Sequence, residues 1–200
     1  MSKKNCPSRA KHVPLKKRLE PFFFERIGIH AYAVFGIKDY HPTSIDIPDG
    51  VSVIKDNAFN DGFNLYKELT SIFIPKTVTS IGHNAFKNCC SALTSIIVGE
   101  GNPVYHSVNN CLIETESKIL ILGCQSSVIP DDGSVTKFGP SAFEGCSALT
   151  SITIPNSVIS IGNHAFHTCK ALTSITIPER FKKDISGIGI EIAQTDVIYV

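Results

Sequence analysis

Apolar and polar residues alternate in short bursts along this chain, and the bursts return in register. From Leu149, the segment LTSITIPNSVISIGNHAFHTCKA puts apolar side chains at Leu149, Ile152, Ile154, Val158, Ile161, Ala165, Phe166 and Cys169. From Leu69, the same slots hold Leu69, Ile72, Ile74, Val78, Ile81, Ala85, Phe86 and Cys89. Proline takes the seventh place in both, as Pro75 and Pro155, and glycine follows the last isoleucine, as Gly82 and Gly162. Two isoleucines two residues apart share one face of an extended strand. Proline then ends that strand without losing a needed ladder bond. Val-x-x-Ile-Gly predicts a second short strand with a bend at the glycine. Ala-Phe predicts a corner where small Ala lets the chain pass and Phe plugs the interior.

The phrase Leu-Thr-Ser-Ile opens this pattern at Leu69, Leu93, Leu149 and Leu172. Weaker copies start at Pro42, with Ile45, Ile47, Val51, Ile54, Ala58 and Phe59, and at Cys124, with Val128, Ile129, Ala142, Phe143 and Cys146. A faint copy starts at Leu15, where Ile27-Gly28-Ile29-His30-Ala31-Tyr32 resembles Ile161-Gly162-Asn163-His164-Ala165-Phe166. A unit of about two dozen residues returning with the same apolar slots is a solenoid coil. One coil cannot bury its own apolar face. Stacking parallel coils about 4.8 Å apart buries it and aligns like residues in columns.

The expected organisation is a basic, disordered tail over 1–14, a degenerate first coil or N-terminal cap over 15–41, a solenoid over 42–178 and a C-terminal cap over 179–200. In the last segment Ile188, Ile190 and Ile192 alternate, and Val197-Ile198-Tyr199-Val200 predicts a closing strand on a distorted last coil. The coil from Leu93 lacks Ala-Phe. Instead, Cys111-Leu112-Ile113-Glu114 and Lys118-Ile119-Leu120-Ile121 flank Thr115-Glu116-Ser117, which predicts a β-hairpin with a three-residue loop that widens this coil and projects from it.

On LTSITIPNSVISIGNHAFHTCKALTSITIP (149–178), LTSIFIPKTVTSIGHNAFKNCCSALTSI (69–96) and the hairpin-like GNPVYHSVNNCLIETESKILILGC (101–124), the chain resembles the BspA-type, or Treponema-type, leucine-rich repeats. The resemblance implies a curved, β-rich leucine-rich-repeat solenoid with parallel coils of about 23–27 residues. It further implies protein binding, often within surface or secreted adhesins, and no enzyme.

Charge changes the picture only at the N-terminus. Residues 1–18 hold seven Lys/Arg and no acid, out of 19 basic and 18 acidic residues in all. The rest therefore holds 12 basic and 18 acidic residues, a difference of −6. The tail could meet a nucleic acid or a membrane surface, but the body has no basic stripe with interleaved aromatics, which argues against nucleic-acid binding there. Glu25 and Arg26 break the apolar run that a secretion signal would need, and no run reaches transmembrane length.

Seven cysteines raise the question of disulfides or zinc. The register places Cys89, Cys146 and Cys169 in one slot as small buried hydrophobes, and Cys111 and Cys124 as packing beside the hairpin. His164, His167 and Cys169 form the one cluster with ligand-like spacing, but metal sites need three or four converging ligands with a supporting shell. No nucleophile–base set or phosphate loop stands apart from the repeat, so no catalytic residue and no cofactor are expected.

If the paired isoleucines point inward, the third and fifth residues of each coil point out. The third row reads Lys17, Ser44, Ser71, Ser95, Ser126, Ser151, Ser174, a floor of small hydroxyls. The fifth reads Leu19, Asp46, Phe73, Ile97, Val128, Thr153, Thr176. Phe73, Ile97 and Val128 are consecutive there and would form an apolar strip, with Asp46, Ser71 and Ser95 beside it, suited to a protein ligand. Two other readings stand beside an interaction module: a spacer or fragment of a longer array, and a binder acting through the basic tail.

Overall fold

The computed structural model describes residues 21–29, 31–38, 41–60, 66–190 and 195–200. The basic tail expected over 1–14 lies outside them. In chain order the strands are β1 (Phe22–Arg26), β2 (Tyr32–Ile37), β3 (Ser44–Asp46), β4 (Val51–Ile54), β5 (Ser71–Ile74), β6 (Ser80–Ile81), β7 (Ser95–Val98) and β8 (Tyr105–Val108). They continue as β9 (Cys111–Glu114), β10 (Ile119–Leu122), β11 (Lys137–Phe138), β12 (Ser151–Thr153), β13 (Ser160–Ile161), β14 (Ser174–Ile177) and β15 (Asp196–Tyr199). Two single 3-10 turns, Glu179–Phe181 and Ser186–Ile188, are the only helical pieces among the described residues.

The chain winds as a β-solenoid of parallel coils. The first strands of the coils stack as β3–β5–β7 on one side of the meander described below, and as β12–β14–β15 on the other. The register is the one the repeat predicts: Ser44, Ser71 and Ser95 align, as do Ile45, Ile72 and Ile96. Each proline carbonyl accepts from the valine three residues on (Val51, Val78 and Val158), which turns the chain into the second strand. The second strands stack as β1–β2–β4–β6 and as β13–β11–β10–β9–β8. The isoleucines Ile45, Ile54, Ile72, Ile74 and Ile154 are all at most 1% exposed.

The corner has a backbone logic of its own. The residue before Ala adopts a left-handed conformation in every copy: Asn57 (φ 56°), Asn84 (53°), Ser141 (60°) and His164 (59°). Short polar side chains tolerate that region better than branched ones. The place of His164 is therefore explained by backbone geometry. From this corner two N–H groups reach the next coil: Asn57 to His83 O and Phe59 to Ala85 O, Ser141 to Asn163 O and Phe143 to Ala165 O. The glycine after the second strand packs directly on the neighbouring backbone. A Cβ at Gly82 would stand 2.3 Å from Asp56 N, and one at Gly162 would stand 2.5 Å from Pro140 N.

Three features differ from the sequence reading. First, β1 and β2 pair antiparallel, and β2 pairs parallel with β4 so that Val34, not Ile27, lies beside Ile54. Ile27-Gly28 sits in the hairpin turn, where Ile27 and Gly28 N–H groups both bond Ala31 O. The Ile-Gly-x-His-Ala-Tyr likeness to a corner is thus coincidental. Phe22, Ala33 and Val34 supply the buried face instead.

Second, the coil from Leu93 contains a three-stranded meander, β8–β9–β10, not one hairpin. Its first turn, Asn109-Asn110, has both residues left-handed (φ 49° and 60°), as a two-residue hairpin loop requires. Cys111, Leu112 and Ile113 are fully buried, so the meander is built into the core and does not project from it. It reaches the edge of β7, where Val98 N–H donates to Ser107 Oγ (2.9 Å) and Ile96 N–H to Asn110 Oδ1 (3.4 Å).

Third, the cysteine column is uneven. The Cys90 and Cys146 thiols both point at Gly123 O (3.4 and 3.7 Å), whereas Cys169 bonds Phe143 O (3.2 Å) and Cys89 bonds Phe86 O (2.9 Å). None of the six described cysteines is in a disulfide. The described part of the C-terminal segment contacts the coil before it. Gly187 O and Ile188 O accept from His164 and Phe166, as a corner would, and β15 closes the stack parallel to β14.

Candidate functional site

The outer face of β3–β5–β7 holds five of the six residues singled out from the sequence. Asp46, Phe73 and Ile97 are cross-strand neighbours in one row, with Ser71 and Ser95 aligned two residues earlier. Phe73 is 36% exposed and Ile97 52%. Large apolar side chains directly opposite on neighbouring parallel strands form one continuous contact surface. The Phe73 ring leans over Gly99, whose hypothetical Cβ would lie 3.5 Å from Cζ. Asp46 marks the row's end, where Ser44 Oγ donates to its carboxylate at 3.2 Å.

Val128 is set apart from this row. It lies outside any strand, and its N–H bonds Asn109 O at 3.2 Å, so the Asn109-Asn110 turn stands where a strand joining it to β7 was expected. It is 65% exposed and opens onto a different groove, of about 770 Å³, lined also by Ile129, Pro130, Ser151 and Thr153. The apolar strip is therefore two residues wide.

Sequence reasoning missed what the threonines do. Thr70 Oγ1 donates to Thr43 O (3.0 Å), Thr94 Oγ1 to Thr70 O (3.2 Å) and Thr173 Oγ1 to Thr150 O (3.2 Å). In three of the four Leu-Thr-Ser-Ile phrases the hydroxyl thus ties its coil to the previous one at the margin of the face. The signal was the threonine shared by all four phrases.

His164 and His167 are exposed, with rings 5.5 Å apart in an edge contact, while the Cys169 thiol turns inward to Phe143 O. Burial pushes Cys169 up to about 12. Among the described residues, no group of three His, Cys, Asp or Glu is placed to hold a metal ion. No described helix is long and apolar enough to cross a membrane.

Stacked parallel coils built on a repeated Leu-Thr-Ser-Ile strand, most of them turning on proline and an Ala-Phe corner, define a leucine-rich-repeat solenoid. The BspA type leucine rich repeat region matches in six copies, over residues 29–113 and 121–186. The chain belongs to the BspA-type leucine-rich repeat family. Its solved likenesses include a leucine rich cell surface protein of Faecalibacterium prausnitzii, 23% identical, covering 78% of this chain and 59% of that one at a TM-score of 0.50. A Treponema pallidum leucine rich repeat protein is 22% identical over 84% of this chain and 72% of its own, with a TM-score of 0.47. A Bacteroides ovatus leucine-rich repeat protein is 27% identical over 78% and 40%, also at 0.47. The first likeness shows the fold, and the chain spans about three fifths of that protein's length. None of the curated proteins matches. Repeat proteins of this family and fold are typically not enzymes.

Proposed function

We propose that this chain is a non-enzymatic protein-interaction module whose contact centres on Phe73 and Ile97. Asp46, Ser71 and Ser95 form the polar rim, and Val128 contributes from the adjoining groove. One observation carries the reading: two large apolar side chains, register-aligned on adjacent strands, are left exposed beside a floor of small hydroxyls. An apolar centre with a polar, hydrogen-bonding rim is the anatomy of a protein interface. A surface setting belongs to the same reading, since the F. prausnitzii protein is described as a cell surface protein. The partner is a protein, with no cofactor required.

The test is the double substitution Phe73→Ser/Ile97→Ser. Both side chains point outward, so the thermal melt followed by circular dichroism should hardly move, while partner capture is lost. Capture that persists in the folded double variant would sink the site. A double variant that unfolds would show that the row belongs to the core.

A further inference from the structure

The coil from Leu93 cuts its corner short, and the space it leaves is a cavity of about 310 Å³. In the regular pattern, the glycine N–H after the second strand donates back to the previous coil (Gly82 to Ile54 O), and Phe N–H donates forward to Ala O (Phe59 to Ala85 O). In the short coil those places belong to Leu120, which accepts from Gly139 N–H, and to Gly123, which donates to Ala142 O. Two residues, Ile121 and Leu122, join the two slots. In the coil from Leu69, four residues lie between Ile81 and Phe86. Gly123 also interrupts the phenylalanine column: Phe143 fills the space a side chain there would need, within 2.1 Å of its hypothetical Cβ.

The shortened corner strands the coil before it. Elsewhere the two corner N–H groups meet two carbonyls of the next coil: His83 and Ala85, Asn163 and Ala165, or Gly187 and Ile188. The corresponding donors here, Asn84 N–H and Phe86 N–H, have no acceptor among the described residues, and the Ile81 carbonyl has no donor. All three residues line the cavity, with Ala85, Leu122 and Pro140. An edge of unpaired backbone groups is a template for a further stretch of chain. Lys87 lines the same cavity and reaches past it to pair with Glu144 at 3.3 Å, which ties the coils from Leu69 and Cys124 together beside the gap.

We propose that this cavity binds a short peptide segment of a partner protein, folded as the turn found at the other corners, one that supplies the missing corner. The fold itself states the specificity. The segment offers one N–H to Ile81 O and two carbonyls spaced two residues apart to Asn84 and Phe86 N–H, and the phenylalanine slot itself is already closed by Gly123 and Phe143. This is recognition by backbone addition, with the cavity reading the side chains. The site is separate from the Phe73–Ile97 face and does not depend on it.

The probe is the capped hexapeptide Gly-Asn-His-Ala-Phe-His, which copies residues 162–167 of the chain. Titrated into the 15N-labelled full chain, it should shift the Asn84 and Phe86 amides saturably, and its analogue with N-methylglycine in place of the first glycine, which lacks the N–H for Ile81 O, should bind about tenfold weaker or worse. Pro140 and His83 are both exposed at the cavity. Pro140→Trp and His83→Trp should therefore keep the melting temperature and lose the peptide. Phe73→Ser/Ile97→Ser should titrate like the parent, which separates failure of this site from failure of the other. Shifts that bypass Asn84 and Phe86, an analogue that binds equally well, or binding that survives in a folded tryptophan variant would each overturn the proposal.

Discussion

Phe59 stacks on Phe86 and Phe143 on Phe166, each pair with ring centroids 5.4 Å apart, and all four rings are at most 4% exposed. Truncating such a ring leaves a cavity that a backbone tied to both neighbours cannot collapse. We expect Phe166→Ala to lower stability by about 3–5 kcal/mol in chemical denaturation. Cys111 illustrates a different residue-scale effect. Burial pushes its thiol up to about 12, against an ordinary value of 9.0. Above pH 9 the unfolded chain releases this proton while the folded chain keeps it. Stability should therefore fall between pH 9 and 12, by at most about 1.4 kcal/mol per pH unit for this thiol. Comparing denaturation midpoints of the parent and Cys111→Ala across that range isolates the effect. At this scale the sequence was legible wherever a side chain repeats a buried slot. It was not legible where the backbone sets the choice, as at Asn57, Asn84, Ser141 and His164, because left-handed residues of three kinds share no side-chain signature.

The meander is the element that breaks the repeat. Its strands β9 and β10 were visible as apolar runs, but β8 reads Tyr-His-Ser-Val and carries no apolar alternation. The meander's contact with β7 runs through the Ser107 and Asn110 side chains, which leave no periodic trace. That is why Val128 was counted as the next rung after Ile97, although Asn109 intervenes. The N-terminal hairpin was hidden by the opposite cause, a motif likeness without the matching strand. Lys87 and Glu144 occupy equivalent places after Phe in different coils, and they meet only because the short corner between them is missing. Glu144 is 3% exposed, and its Oε2 has no hydrogen-bond partner. Lys87→Met would leave that carboxylate unpaired and should cost about 1–3 kcal/mol, at the lower end because Lys87 is partly exposed. Lys87→Met/Glu144→Gln should recover most of the loss. A double-mutant cycle by urea denaturation checks this, and a double variant no better than Lys87→Met would show that the pair does not act as one.

At the scale of the whole molecule, the meander divides a uniform stack into two. Each sheet is interrupted at the same level, β3–β5–β7 from β12–β14–β15 and β6 from the sheet that begins at β8. On one side the irregularity ends the apolar row at Ile97, and on another it opens the cavity beside Asn84 and Phe86. Stacking order and register followed from the repeat alone, because each coil buries its neighbour's apolar face. The surface features did not follow, since they arise where one coil fails to repeat. The central claim is that the Phe73–Ile97 row is a partner-binding face. The most direct measurement is photo-cross-linking from position 97 in an extracellular protein mixture, with a control probe at Ile159, an exposed residue of the second-strand side. The account predicts a discrete partner from position 97 that disappears when Phe73→Ser is added and is absent from position 159. The same products from both positions, or capture at 97 that ignores Phe73→Ser, would contradict it.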